Sequence, residues 1–347
     1  MSKVSANPYK GIDPRSYFLA HHMDMIHDPL VLRQLLDTEV HNWVPDLKGV
    51  AIIALTAAWW EKEPHSVTEL GIAELPLPVP YDGTGDFDHA VFEKIEGIFM
   101  QVKAIHARIK PNAHLFNKFP GSGNPDKFNF GRTVFVNIEE ARQGLLSILC
   151  RPGIQGPGFQ PVVLVGHAIH NHIARINEAF KLDILSLGSV IKVLDTQSLA
   201  KDVGIKPPKG TNISLMDLSR HFGMIPDNLH TAGNDVVHIL INAVFASLQS
   251  HPFGFGSNNR TVGDFTERIN MLVNRMMQVG KVYPPQNWGT LLFCTRCDRD
   301  NHLKESCHAA YICCTICVNS PNMRNRKGAR SHQTAKCIFA PVPESKD

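Results

Sequence analysis

The chain has 347 residues, of which 43% are apolar and 19% are charged, and its formal net charge is +3. This length suffices for one large domain or two ordinary ones, and the apolar content excludes a globally disordered chain. The apolar runs are far shorter than the roughly 20 residues that a membrane span needs, so we expect no membrane contact.

The predicted elements begin with an N-terminal helical extension, residues 1–47, in which Asp28 and Pro29 mark a helix start. Five apolar segments then predict strands; in chain order they are 50–55, 66–75, 133–136, 161–166 and 190–194. Apolar residues at helical spacing predict helices, which are 88–109, 139–149, a segment through Phe180, 215–222, 234–248 and 264–277. Strands that alternate with helices indicate an α/β domain, which we place at 48–250.

The remaining chain divides into a helix and linker at 251–290 and a Cys/His-rich tail at 291–340. Seven of the eight cysteines lie between residues 294 and 337, and Cys150 stands alone. The N-terminus carries polar residues and prolines instead of an apolar signal core, so we expect a nuclear or cytoplasmic protein. In such a reducing compartment, clustered cysteines indicate metal ligands more than disulfides.

The tail contains two sets of three cysteines and one histidine. The first set is Cys294, Cys297, His302 and Cys307, and the second is Cys314, Cys317, His332 and Cys337. Two thiolates three residues apart can bind one ion from a tight turn, and the later His and Cys complete its tetrahedral coordination. The sequence therefore predicts two structural Zn²⁺ ions, with His308 and Cys313 as alternative ligands.

The first set has the spacing C-x2-C-x4-H-x4-C and resembles the CCHC zinc knuckle of nucleic-acid-binding proteins; the second keeps both ends but has a longer middle. Residues 294–337 also hold eight Lys or Arg against three Asp or Glu, so the rest of the chain sums to −2. We expect the basic side chains to contact phosphates of single-stranded nucleic acid, RNA more than DNA. They are Arg296, Arg299, Lys304, Arg324, Arg326, Lys327, Arg330 and Lys336.

The α/β domain contains a second resemblance. The segments that carry it are Trp59–Pro64, Thr68–Gly71, Val165–His172, Val193–Gln197 and Leu229–Val236. In order and spacing they resemble the motifs of DEDDh 3′–5′ exonucleases of the ribonuclease H-like superfamily, in a mainly fungal branch. The resemblance implies a mixed five-stranded sheet flanked by helices, and it suggests RNA metabolism or silencing, with protein partners there.

The family's chemistry depends on four carboxylates that hold two divalent ions, with a histidine as general base. In this sequence the resemblance places Thr56 and Ala58 where the first strand carries Asp-x-Glu, and His172 at the second-motif Asp. His230 and Asp235 remain. With three of four carboxylates absent, we expect no bound Mg²⁺ and no hydrolysis.

We therefore predict a catalytically inactive exonuclease fold, a pseudo-exonuclease, that binds nucleic acid or serves as a scaffold through its zinc knuckles. Two alternatives stay open. One is an active metal-dependent 3′–5′ exonuclease with unconventional ligands, and the other is a pure protein-interaction module. A cleavage assay distinguishes the active exonuclease from the inactive one. Salt-sensitive binding of nucleic acid distinguishes the predicted function from a protein-interaction module.

Overall fold

The computed structural model describes residues 14–36, 47, 49–76, 87–153, 158–249 and 262–339, without the side chains of 87–92 and 262–264. The ends of the predicted 1–47 extension and the start of the 251–290 segment lie outside the described residues. Within the described ranges, no helix is both long enough and apolar enough to cross a membrane.

One mixed sheet of six strands forms the centre of the fold. The strands are β1 (Ala51–Trp59), β2 (Val67–Leu75), β3 (Lys103–Ile109), β4 (Thr133–Val136), β5 (Val162–Gly166) and β6 (Val190–Asp195), in the order β4-β3-β2-β1-β5-β6. Strand β2 is antiparallel to β1 and β3, whereas the β3–β4, β1–β5 and β5–β6 pairs are parallel. The carboxyl ends of every strand except β2 therefore meet at one edge of the sheet, which we call the carboxyl edge.

The α/β fold class is confirmed, but the sheet has six strands where five were expected. The predicted helix 88–109 is wrong at its end, because helix α3 (Phe87–Phe99) stops ten residues earlier and β3 follows. Ile105, Ala107 and Ile109 are buried on one face of β3. Their alternate spacing is that of a strand, and pairing with β2 and β4 satisfies the backbone of the segment.

Helices cover both faces of the sheet. One face packs against α4 (Ile138–Leu149) and α5 (Ile169–Phe180), and the other packs against α8 (Ala232–Gln249). Almost the whole of α8 is buried, because further helices cover it from outside. These helices are α2 (Asp28–Leu35), α6 (Thr196–Asp202), α7 (Leu215–His221) and α9 (Val262–Val282), and α1 (Pro14–Met25) packs beside them against β6.

The tail is held against the domain near the carboxyl edge. Phe293 packs with Ala113 and Phe135, and its ring centroid is 5.6 Å from that of Phe135. The backbone of Thr290 pairs with that of Phe135, and His114 Nε2 lies 3.0 Å from the carbonyl oxygen of Lys336. Two short helices, α10 (Thr315–Val318) and α11 (Met323–Lys327), belong to the tail.

Candidate functional site

Five residues singled out by sequence form what we call the strand-end site: Thr56, Ala58, His172, His230 and Asp235. Thr56 and Ala58 lie near the carboxyl end of β1, two residues apart, and so share a sheet face as expected. That face is the one covered by α8, since the neighbouring Ile52 and Ala54 pack in the α8 core.

His172 projects from α5 to the end of β1. Its Nδ1 accepts a hydrogen bond from the backbone N–H of Ala57 at 3.1 Å and lies 3.2 Å from the hydroxyl oxygen of Thr56. Burial lowers the pKa of His172, which favours the neutral imidazole, while the Ala57 carbonyl oxygen, 3.0 Å from the same Nδ1, opposes the shift. The first-motif and second-motif positions are thus in direct contact, through a hydroxyl and an imidazole.

Asp235 lies in the first turn of α8 and is bonded to its own loop. Its Oδ1 accepts the backbone N–H of His230 at 2.8 Å, where His230 has a φ of 65°. Burial raises the pKa of Asp235 to about 8, and the nearby Glu69 carboxylate raises it further against the opposing hydrogen bond from His230. At neutral pH this carboxyl is mostly protonated. His230 itself is exposed.

Two carboxylates near the site have roles that sequence reasoning missed. Glu69 lies 2.9 Å from His106 Nε2 and accepts the backbone N–H of Ala232 at 3.0 Å, at the start of α8. Asp195 accepts the backbone N–H groups of Ala168 and Ile169, at the start of α5, at 3.1 and 3.0 Å. Both acids therefore fix the helices that carry Asp235 and His172. Their segments were recognised in the sequence, but only the folded chain shows what the carboxylates contact.

A glycine in β2, Gly71, allows the start of α8 to lie directly against that strand. A Cβ atom on Gly71 would lie 2.0 Å from the carbonyl oxygen of Ala232, so only glycine permits this approach. Gly71 pairs with Thr56 across the β1–β2 ladder. This close approach places the α8 start beside the end of β1.

The structure brings together each of the two predicted ligand sets in the tail. In each set, the four ligand atoms lie within 4.8 Å of one another. Among the described residues, these two sets are the groups of three or more His, Cys, Asp or Glu that meet this distance. The alternative ligands His308 and Cys313 are exposed and belong to neither set.

The spacing of the ligand atoms fits tetrahedral zinc. With Zn–S near 2.3 Å and Zn–N near 2.0 Å, tetrahedral geometry separates two sulfurs by about 3.8 Å and sulfur from nitrogen by about 3.5 Å. The Cys317–Cys337 sulfurs are 3.6 Å apart, and Cys297 and Cys317 lie 3.4 and 3.7 Å from the Nε2 atoms of His302 and His332. A disulfide would need about 2.05 Å. Both clusters can therefore bind a zinc ion.

Two of the predicted basic residues connect the two clusters. Arg296 donates to the carbonyl oxygens of Cys307 and Arg330, each at 3.2 Å. Lys336 forms an ion pair with Asp298, and its side chain is only 10% exposed. These two side chains are committed to internal contacts.

The other six predicted basic residues are exposed. Arg299 donates to the Tyr311 hydroxyl at 2.8 Å, and Lys304 lies 5.6 Å from the ring centroid of Phe116. The rest lie in the long middle of the second set, on α11 or just after it; they are Arg324, Arg326, Lys327 and Arg330. Arg326 bonds to the carbonyl oxygens of Ser320 and Pro321 at 2.7 and 3.0 Å.

Comparison with known proteins places the α/β domain in one family. The DEDDh family model described as the C-terminal domain of DNA polymerase III subunit epsilon-like proteins matches residues 51–246. That range includes the strand-end site and ends before the tail. No curated protein matches the chain significantly.

Proposed function

The chain belongs to the DEDDh exonuclease-like family, whose model spans more than half of it, and from that premise we propose a nucleic-acid-binding protein with a hydrolytically inactive domain. The zinc knuckles of the tail supply most of the binding. The bound strand is single and is RNA in preference to DNA, and the exonuclease fold serves as its platform.

The contact between Thr56 and His172 is the observation that carries the inactive assignment. The family reaction needs carboxylates at both positions to hold two metal ions, and here a hydroxyl lies 3.2 Å from an imidazole nitrogen. The remaining carboxyl, Asp235, has a pKa of about 8 and bonds to the backbone of His230. Glu69 and Asp195 accept backbone N–H groups at helix starts, and in this proposal they fix those helices instead of replacing the lost ligands.

The tail supports the binding assignment through metal and charge. We propose two structural zinc ions, one per Cys3His cluster, which fix short loops that have little core of their own. Three thiolates against one divalent ion leave each cluster at −1, so positive potential must come from side chains outside it. The exposed Arg324 and Lys327 on α11 and Arg330 just after it provide it.

Binding in a salt series tests this function. We expect zinc-loaded protein to bind single-stranded RNA with an affinity that falls as salt rises. The double variant Arg324→Ala/Lys327→Ala should lower the slope of log K against log salt by about 1.4, since each phosphate contact on a single strand contributes about 0.7. The matched control is Lys201→Ala/Arg220→Ala, because both side chains are exposed on helices α6 and α7, far along the chain from the tail.

Absence of salt-sensitive binding to RNA and DNA would refute the proposed function and favour a protein-interaction module. An equal loss of slope in the control would show that the tail charges contribute no more to binding than other exposed charges do. The finer expectations stay predictions. The family resemblance suggests a mainly fungal branch and RNA metabolism or silencing with protein partners there, and the N-terminal composition suggests a nuclear or cytoplasmic location.

A further inference from the structure

We propose that the bound strand follows an aromatic track that runs from the first zinc cluster across Phe116 and Phe119 to His230. This inference rests on the proposed function and adds a second binding surface, which is contributed by the α/β domain. The tail itself offers few exposed aromatic rings, so bases need stacking partners from elsewhere.

Contacts between rings and charges define the two ends of the track. Lys304, in the loop of the first cluster, lies 5.6 Å from the ring centroid of Phe116. Phe119 lies 5.9 Å from His230, edge to face. Phe116 and Phe119 are 43% and 41% exposed, and Lys118 between them is also exposed. The loop thus joins the first zinc cluster to the strand-end site.

Topology explains why this loop can reach both. It follows β3, which runs parallel to β1 because each is antiparallel to β2. The loop therefore leaves the sheet at the carboxyl edge, where β1 ends in the strand-end site. The tail packs at the same edge, where Phe293 contacts Ala113 at the start of the loop.

The loop is held firmly in this position. The Asn117 side chain accepts the backbone N–H of Glu61 at 2.8 Å and donates to the carbonyl oxygen of Trp59 at 3.0 Å. Further along, the backbone N–H of Asn124 donates to the side chain of Asn228 at 2.7 Å. A Cβ atom on Gly123 would lie 2.6 Å from the backbone of His230. Such fixed rings lose little conformational entropy on binding, which favours their use as a platform.

The chemistry of the track fits a single strand. Exposed phenyl rings stack on any base, and the interleaved Lys118 and Lys304 can neutralise adjacent phosphates. The site at the end of the track carries Thr56, Ala58 and His172 at three positions where the family has carboxylates, so a phosphodiester meets less negative charge there than in the family's active site. A duplex cannot present its bases to these rings, and we therefore expect single-strand selectivity.

Fluorescence anisotropy with labelled single-stranded RNA on the zinc-loaded full chain tests the track. Phe116→Ala and Phe119→Ala should each weaken binding about 5- to 150-fold, since one stacked base contributes about 1–3 kcal/mol. Their salt slopes should match the wild type. Lys304→Ala should instead lower the slope by about 0.7.

Phe159→Ala is the matched control. Phe159 is 44% exposed, but it precedes β5 and so lies at the opposite edge of the sheet. Its affinity should equal that of the wild type. Photo-crosslinking with thiouridine-substituted RNA gives a second readout, and we expect crosslinked peptides from the Phe116–Phe119 loop as well as the tail.

The outcomes distinguish failure of the aromatic track from failure of the proposed function on which it rests. If the wild type binds RNA but both Phe variants bind equally well and crosslinks map to the tail alone, the track is wrong and the proposed function stands. If the wild type shows no salt-sensitive binding, the function fails and the track fails with it. Equal weakening by Phe159→Ala would also overturn the track.

Discussion

Asp235→Asn tests whether the strand-end site is neutral. Asparagine keeps an oxygen that can accept the His230 N–H but cannot ionise. Because the folded-state pKa of Asp235 is raised from 3.8 to about 8, the folded chain holds one more proton than the unfolded chain between those values. Wild-type stability therefore falls as pH rises through this window, by about 1.4 kcal/mol per pH unit.

The comparison between pH 6 and pH 8 isolates this effect, since thiolate–zinc bonds are more secure there than in acid. We expect the stability advantage of Asp235→Asn to grow by about 2 kcal/mol across that interval, less than the full slope because the folded carboxyl is already half ionised at pH 8. Urea unfolding of both proteins, followed by circular dichroism in excess zinc, measures it.

A pH-independent difference between the two proteins would refute the reasoning. It would mean that Asp235 is ionised throughout, as a metal-ligating carboxylate is. If Mg²⁺ stabilised the wild type but not Asp235→Asn, this would also indicate an ionised Asp235 that binds metal. The histidines with lowered pKa values are common to both proteins, so their titration cancels in the difference.

Two other predictions concern the tail and the helix start. Metal analysis should find two zinc ions per chain. Cys294→Ser and Cys314→Ser should each remove one ion, whereas Cys313→Ser, at an exposed cysteine outside both clusters, should leave two. A value near zero in the wild type would contradict both clusters. Gly71→Ala should lower the free energy of unfolding by about 2–3 kcal/mol, because its Cβ would overlap the Ala232 carbonyl. Gly97→Ala, on exposed helix surface with no atom nearby, should instead raise it by about 1 kcal/mol, and similar effects at both glycines would argue against the close approach.

The sequence predicted the features that depend on local pattern. Continuous apolar runs indicated β1 and β5, and ligand spacing indicated both Cys3His sets, which the structure brings together. The missed strand β3 shows the limit of periodicity. Apolar residues at helical spacing run through Phe99 to Val102, and the strand begins at the next residue without a Pro or Gly to mark the change.

The strand-end site could be located from motif order, but its electrostatics could not. The raised pKa of Asp235 depends on burial and on Glu69 from β2, which is distant along the chain, and it persists against the opposing hydrogen bond from the nearby His230. The track was hidden for a similar reason. Phe116 and Phe119 lie in a segment that reads as a polar loop, and only the folded chain places Phe119 beside His230 and Phe116 beside Lys304.

Incubation of a 5′-labelled single-stranded RNA with zinc-loaded protein and Mg²⁺ or Mn²⁺ tests the central claim most directly, with products resolved on a sequencing gel. The same mixture on a native gel reports whether the strand is bound. We expect a retarded complex that contains full-length RNA. Metal-dependent shortening from the 3′ end, lost in Asp235→Ala, would contradict it and identify an active exonuclease.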